Sequence, residues 1–127
     1  MIIYQKRILR EDLRANPSVL YAFGDNDERR GQGGQAGEMR GEPNAIGVRT
    51  KKRPSREDAA YWSDADYAAN CASLDEDLAP VVTRLGQGGP VVLPLDGLGT
   101  GMSDMPNRCP RTFAYLQRRL AELAAIK

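Results

Sequence analysis

Two short apolar runs, each followed by a glycine-rich loop, limit what this chain can fold into more than any other feature. The first run covers residues 19–23 and leads into a loop at 25–36, and the second covers residues 90–94 and leads into a loop at 95–106. Continuous apolar runs of this length are typical of strands buried on both faces, as the strands of parallel sheets are. A weaker run at residues 45–48 predicts a third strand.

Helices are predicted between and after these strands. One is expected to begin at Ser63, which would cap it, and to end or kink at Pro80. A last helix is expected over residues 110–125 and a short one over residues 34–40. The stripes at helical spacing are Tyr67, Cys71, Leu74 and Leu78 in the first helix, and Phe113, Leu116, Leu120 and Leu123 in the last.

Strands that alternate with helices predict an α/β fold, a three-layer α/β/α sandwich with a mostly parallel central sheet. A chain of 127 residues is expected to form a single domain over residues 1–127, because two halves would each be too small to bury an adequate core. Such sheets bind ligands outside the carboxyl ends of their strands. Because both glycine-rich loops leave predicted strand ends, we expect them to converge on one ligand.

The chain contains no histidine, which excludes several kinds of site. Ser-His and Cys-His nucleophile pairs are ruled out, so Asp, Glu, Lys and Tyr are the main candidates for general acids and bases. Cys71 and Cys109 lie far apart, with no Cys-x-x-Cys spacing. We therefore expect neither a metal site nor a cofactor.

The balance of charge and the hydropathy argue against a membrane protein, a secreted protein and a protein attracted to nucleic acid by its overall charge. The formal net charge of +1 gives the surface no overall field that would attract nucleic acid or a membrane. No apolar run approaches the roughly 20 residues that span a bilayer. The first residues also lack the apolar core of a signal peptide. We therefore expect a cytoplasmic protein with no membrane partner.

The first glycine-rich loop has the composition of an anion-binding loop. Gly31, Gly33 and Gly34 precede a predicted helix, where backbone N–H groups and the helix dipole favour a phosphate or a ribose. The loop also fits the dinucleotide pattern Gly-x-Gly-x-x-Ala. However, it does not directly close the strand, and the acidic residue expected about 20 positions later is missing, so a Rossmann fold is not favoured.

The second loop is a similar candidate. Gly97, Gly99 and Gly101 alternate along it with one hydroxyl, that of Thr100, and their backbone donors would fit a diphosphate. The alternative for either loop is a turn that needs glycine for a positive φ. The presence of two such loops at two strand ends favours a binding site over two separate turns.

The order and spacing of these features resemble those of macrodomains over nearly the whole chain. The matching features are Asp12-Leu13, a strand leading to Asn26, the first glycine turn, and the segment Leu98-Gly-Thr-Gly101 before a closing helix. The resemblance implies a compact macrodomain-like fold that binds ADP-ribose. In that arrangement Asp12 contacts the adenine amine, Asn26 and the first turn hold the distal ribose, and the second loop holds the diphosphate. The implied ligand-binding residues are Asp12, Asn26, Gly31, Gly33, Gly34, Gln35, Gly97, Gly99, Thr100, Gly101 and Met102.

The segment at residues 48–55 is similar to the Thr-Lys-Lys segment of the terminal ADP-ribose glycohydrolase subclass, which includes the antitoxin that removes ADP-ribose from DNA bases. The resemblance implies that Lys51 attacks the anomeric carbon and that an aspartate after the second loop assists it. That position falls on Ser103, with Asp104 one residue further along, and Asp104 is therefore the predicted acid. The water-activating aspartate of the mono-ADP-ribosyl hydrolases falls on Ala36.

Three functional hypotheses follow. The first is an ADP-ribosyl hydrolase that acts on modified protein or nucleic acid, and the second is a non-catalytic sensor or sponge of ADP-ribose-type signals. The third, a nucleic-acid-binding domain that uses residues 49–56, is weakened by the lack of aromatic residues in that stretch.

Asp12 could also be only a surface residue in a short helical turn, and Asn26 only a turn former. Parts of the chain also resemble small bacterial and phage-borne proteins, which implies no activity.

The sequence leaves several roles open. Lys51 could belong to a solvated basic loop, and the roles of Asp25, Glu38 and Asp96 are undetermined. Neither the oligomeric state nor the group attached to the ADP-ribose can be inferred from the residues.

Overall fold

The structure is a computed structural model and describes residues 1–126. Its strands are β1 (Ile2–Gln5), β2 (Leu20–Asp25), β3 (Ala45–Arg49) and β4 (Val91–Pro94). Its α-helices are α1 (Arg10–Ala15), α2 (Ala36–Met39), α3 (Tyr67–Gly86), α4 (Met105–Arg108) and α5 (Pro110–Ala124). Single turns of 3₁₀ helix lie at Asp58–Ala60 and Asp64–Asp66.

The strands form one four-stranded sheet in the order β1-β4-β2-β3, and every pair is parallel. In the register Tyr21 lies opposite Val92 of β4, and Ala22 lies opposite Ile46 of β3. This confirms the predicted α/β class and the three strands predicted from apolar runs. The edge strand β1 was not predicted, because its alternation is weak and both Ile3 and Tyr4 are exposed.

Helices cover both faces of the sheet, as the alternation of β2 requires. Ala22 belongs to a cluster with α3 and α5, whereas its neighbours Tyr21 and Phe23 point to the other face. The side chains that join α3 and α5 to the sheet are Leu74, Leu78, Val81 and Leu85 from α3, and Leu116, Leu120 and Leu123 from α5. On the other face, α1 and α2 contribute Leu13, Ala36 and Met39. Full burial of each larger side chain contributes about 1.5–3 kcal/mol.

The helix predicted from Ser63 differs from the structure at both ends. Ser63 caps a 3₁₀ turn, where its Oγ accepts a hydrogen bond from the amide of Ala65 at 3.1 Å, and α3 itself begins at Tyr67. Of the two outcomes predicted for Pro80, an end or a kink of the helix, the end is wrong, because α3 continues to Gly86. Pro80 lies on the exposed side of α3, where its missing N–H group can be tolerated. Burial of Val81 beyond it keeps the helix on the sheet.

No helix within residues 1–126 is long and apolar enough to cross a lipid bilayer.

Candidate functional site

A cleft of about 960 Å³ lies beyond the carboxyl ends of β2 and β3. The first glycine-rich loop lines it with Gly31 and Gly33, and the second lines it with Gly101 and Met102. Lys51, two residues after β3, lies between the two loops. The structure therefore brings both loops together at the strand ends, where parallel sheets bind their ligands.

Asn26 shapes the first loop as well as lining the cleft. Its Nδ2 donates to the carbonyl of Arg30 at 2.7 Å, and its Oδ1 accepts from the amide of Glu28 at 3.0 Å. The turn-former interpretation of Asn26 is therefore correct as far as these local bonds go. Beyond it Gly31 has a φ of +104°, a conformation that favours glycine.

Several residues that line the cleft have a backbone N–H group with no acceptor among the described residues. They include Gln32 and Gly33 in the first loop and Met102 and Ser103 in the second. Amides left free at the rim of a cleft can donate to an anion. Both loops therefore offer donors to the same space.

The carboxylate of Asp25, at the end of β2, holds the first loop in place. Asp25 is only 6% exposed, and it accepts hydrogen bonds from Arg40 at 2.6 and 3.1 Å and from Arg29 at 3.3 Å. Arg40 also donates to the carbonyl of Gly31 at 2.9 Å, which ties the glycine turn to the strand end. Burial alone would raise the pKa of Asp25, but the bonds from Arg40 and the amide of Asn26 outweigh it and lower the pKa.

A second buried carboxylate, that of Asp77, continues this network into α3. Arg29 donates to it at 2.7 Å, and Arg49 donates to it from its side chain at 2.9 and 3.0 Å and from its backbone amide at 2.7 Å. Asp77 thus joins α3, β3 and the first loop. These contacts give Asp25, whose role was open from the sequence, a structural role, and no local pattern indicated its partners.

Lys51 is the most buried cation of the cleft, with 8% of its surface exposed. Its Nζ lies 3.5 Å from the carbonyl oxygen of Met102 and 4.4 Å from the centre of the Tyr61 ring. No carboxylate within residues 1–126 forms an ion pair with it. Burial, together with the charges of Arg56 and Arg108, lowers the pKa of Lys51.

The second loop contacts the rest of the site through Ser103 and Met102. The hydroxyls of Ser103 and Thr50 lie 2.5 Å apart, which joins the loop to the chain just before Lys51. The side chain of Met102 lies across the cleft on Gly33, where an added Cβ atom would come within 2.8 Å of its Cε. The two loops therefore touch each other above Lys51.

Asp104 lines the same cleft but does not contact Lys51. Its Oδ1 accepts from Asn107 at 2.9 Å, and its Oδ2 lies 3.6 Å from Nε of Arg108. Among the described residues it forms no ion pair with Lys51. The structure thus brings the predicted nucleophile and the predicted acid into one cleft without pairing them.

Asp12 and Gln35 do not line the cleft, although the resemblance implied ligand contacts for both. Asp12 lies in α1, where its Oδ2 accepts from the amide of Leu9 and from Gln5, both at 2.9 Å. Gln35 bonds the backbone of Ile8 in both directions, at 3.0 and 3.2 Å. These contacts match the alternative of a residue in a short helical turn for Asp12.

Four further predicted residues also lie outside the cleft lining, namely Gly34, Gly97, Gly99 and Thr100. Gly97 and Gly99 have positive φ angles of 82° and 84°, and Gly99 packs against Met105. Thr100 donates to the carbonyl of Asp96 at 3.0 Å, so Asp96 closes a turn through its backbone. The turn interpretation therefore describes the start of the second loop, whereas Gly101 and Met102 face the cleft.

Several further residues line the cleft that were not among the predicted site residues. They include Gly24, Arg30, Gln32, Arg40, Pro54, Ser55, Arg56 and Tyr61. Arg56 belongs to the basic stretch at residues 49–56, so the sequence indicated its charge but not that its side chain would face the cleft. No group of three metal-ligating side chains occurs within the part of the chain that the structure describes.

The chain belongs to the family of unknown function DUF7831, whose model matches residues 3–119. No curated protein and no solved structure matches the chain.

Replacing Asp25 with Asn should destabilise the protein. The change leaves Arg40 and Arg29 without their buried anion, and we expect the free energy of unfolding to fall by about 3–5 kcal/mol in urea denaturation at neutral pH. The folded-state pKa of Asp25 is lowered, so its contribution is present above about pH 4 and is lost as the pH falls through the folded-state value.

The difference between the wild type and Asp25→Asn should therefore shrink below about pH 4. Asp96→Asn, at an exposed carboxyl of the second loop, is the matched control and should change stability by less than about 0.5 kcal/mol. Equal stability of the wild type and Asp25→Asn at pH 7 would show that the network does not hold the loop.

Proposed function

We propose that this protein binds ADP-ribose or an ADP-ribosylated macromolecule in the cleft and hydrolyses the ADP-ribosyl linkage. The observation that supports it most is that Gly33, Met102 and the buried Lys51 line one cleft at the carboxyl ends of the strands. The same three positions fall in the three segments that resemble macrodomains. The cleft volume of about 960 Å³ lies at the upper end of the usual range for ligand pockets, roughly 300–1,000 Å³.

The charge and the donors of the cleft suit a diphosphate. Lys51 and Arg56 supply positive charge, and no carboxylate among the described residues pairs with either of them. Free amides of both loops line the same cleft. A diphosphate placed between the loops would receive hydrogen bonds from both and neutralise these cations.

The environment of Lys51 supports a part in chemistry. A lysine amine becomes nucleophilic once it loses its proton, and burial next to other cations favours that loss. In the proposed reaction the neutral amine forms a bond to the anomeric carbon as the bond to the attached group breaks, and the proton that the amine releases passes to that leaving group. Water then adds to the anomeric carbon, which breaks the bond between Lys51 and the ribose, returns a proton to the amine and frees ADP-ribose. The transition state would carry positive charge on the ribose.

The adenine contact implied for Asp12 has no part in this proposal. Oδ2 of Asp12 caps α1 and accepts a hydrogen bond from Gln5, and Asp12 is not among the residues that line the cleft. Recognition is therefore assigned to the diphosphate and ribose. An adenine would pack against the apolar surface that Pro54 and Met102 contribute to the cleft.

One observation favours the non-catalytic alternative. Asp104 is the acid that the hydrolase hypothesis requires, but its carboxylate is engaged by Asn107 and Arg108 and does not meet Lys51. A protein that only captures ADP-ribose would need the loops and the positive charge but no free acid. A wild-type protein that binds ADP-ribose but does not hydrolyse the ADP-ribosyl linkage would favour this second function.

Binding is tested by titrating the protein with ADP-ribose in a calorimeter. Gly33→Glu should abolish binding, because it displaces the flexible side chain of Met102 and places a negative charge where the diphosphate is proposed. Gly86→Glu is the matched control, since an added Cβ atom meets nothing within 4 Å at the end of α3, and it should bind like the wild type. Failure of the wild type to bind ADP-ribose would refute the proposal.

Hydrolysis is tested by the release of ADP-ribose from modified protein and modified DNA. Lys51→Ala should lower the release rate by at least about a hundredfold, as expected for the loss of a nucleophile, while ADP-ribose still binds, more weakly because one of the two cations is lost. Lys52→Ala is the control, because Lys52 is half-exposed and lies 3.9 Å from Asp66. Similar losses in both variants would contradict a specific role for Lys51.

A further inference from the structure

Lys51 shares the aromatic ring of Tyr61 with a second cation. Nζ of Lys51 lies 4.4 Å from the ring centre, and the guanidinium carbon of Arg108 lies 4.0 Å from the same centre. The backbones of Lys51 and Tyr61 pair in an isolated antiparallel bridge, which fixes the ring beside the lysine. An aromatic face attracts each cation, but two positive charges held at one ring also repel each other.

Arg108 is anchored from its other side by two carboxylates. Its Nη1 lies 2.9 Å from Oδ1 of Asp58, and its Nε lies 3.6 Å from Oδ2 of Asp104. Lys51 has no such partner within residues 1–126 and meets only the ring and the carbonyl of Met102. Because a guanidinium does not lose its proton in proteins, Lys51 is the cation of this pair that can become neutral.

We propose that Arg108 is a positioning residue for Lys51, which holds the Tyr61 ring in place and, through its permanent charge, keeps the Lys51 amine ready to react. This assignment gives Asp104 a part other than that of general acid, namely to anchor Arg108. It rests on the proposed function only in taking Lys51 as the reacting group. Nothing in the arrangement requires Asp104 to reach the substrate.

Other charged groups near Lys51 also influence its pKa. Arg56 lines the same cleft, and its charge together with burial lowers the pKa of Lys51, with Arg108 contributing in the same direction. Asp104 lines the cleft but is engaged by Arg108, and Lys52 lies near Asp66. Removal of the charge at Arg108 should therefore raise the pKa of Lys51 part of the way back towards its ordinary value.

The test measures acetylation of Lys51 by acetic anhydride across a pH series, with each lysine quantified by peptide mass spectrometry. Arg108→Gln should move the pH midpoint of Lys51 acetylation upward and slow the reaction about threefold at a fixed pH below the midpoint, because a smaller fraction of the amine is then neutral. Arg108→Lys keeps the charge and should stay near the wild-type profile. Lys52 serves as an internal reference and should not change.

Arg111→Gln is the matched control. The Arg111 guanidinium carbon lies 4.0 Å from the centre of the Tyr67 ring, so the variant removes the same kind of contact away from Lys51. It should leave the Lys51 profile unchanged. An unchanged profile in Arg108→Gln, or an equal shift in Arg108→Lys, would overturn the proposal.

The side chain of Arg108 is 34% exposed, so we expect the variants to fold, and circular dichroism melting checks this. If Arg108→Gln is unstable at the assay temperature, Arg108→Met removes the same charge while its thioether packs on the ring. Acetylation needs no ADP-ribose, so a shifted profile without ADP-ribose binding would refute only the proposed function. Where hydrolysis occurs, its pH–rate profile should move upward by the same amount in Arg108→Gln.

Discussion

Asp25 is a carboxylate buried at the end of a central strand, and it can remain ionised there only because arginines surround it. Arg40 and Arg29 donate to it, and Arg40 also bonds the carbonyl of Gly31. The first loop is thereby folded back over the end of β2. Gly47 on the neighbouring strand allows this, since a Cβ atom there would collide with the Asp25 carboxylate. The mouth of the cleft depends on this cluster.

The second loop is joined to the cleft by weaker and fewer contacts. The hydroxyl pair of Thr50 and Ser103 connects it to the residue that follows β3, the Lys51 amine lies near the carbonyl of Met102, and the Met102 side chain reaches Gly33. Ion pairs thus hold one side of the cleft, while the other side is held by these contacts without an ion pair to a carboxylate. A ligand that enters between the loops would move Met102 rather than the buried network, because the thioether is mostly exposed and unbranched.

The sequence predicted those elements whose signal is local. The apolar runs that became β2 and β4 and the stripes of α3 and α5 could be found because burial imposes a period on nearby residues. The partners of Asp25 and Asp77 could not, because these ion pairs join residues up to 48 positions apart and leave no periodic trace. Pro80 was misjudged because tertiary packing of α3 outweighs a local helix-breaking preference.

The candidate site was predicted unevenly for the same reason. The lysine, two glycines of the first turn and the end of the second loop line one cleft, because strand ends converge in a parallel sheet. Asp12, Gln35 and Asp104 carry side chains whose direction depends on local caps and neighbours, and each is engaged elsewhere. The ring of Tyr61 contacts both Lys51 and Arg108, and these residues are too far apart in the sequence for a local pattern to predict the contact.

If the two loops form one ligand site, as we propose, both should respond to the same ligand. Their response is measured by following the backbone amide resonances of ¹⁵N-labelled protein during addition of ADP-ribose. We expect the amides of Gln32, Gly33, Met102 and Ser103 to shift together, at the same ligand concentration, while amides at the opposite end of the sheet stay unchanged. Shifts confined to one loop, or the absence of shifts in both, would contradict it.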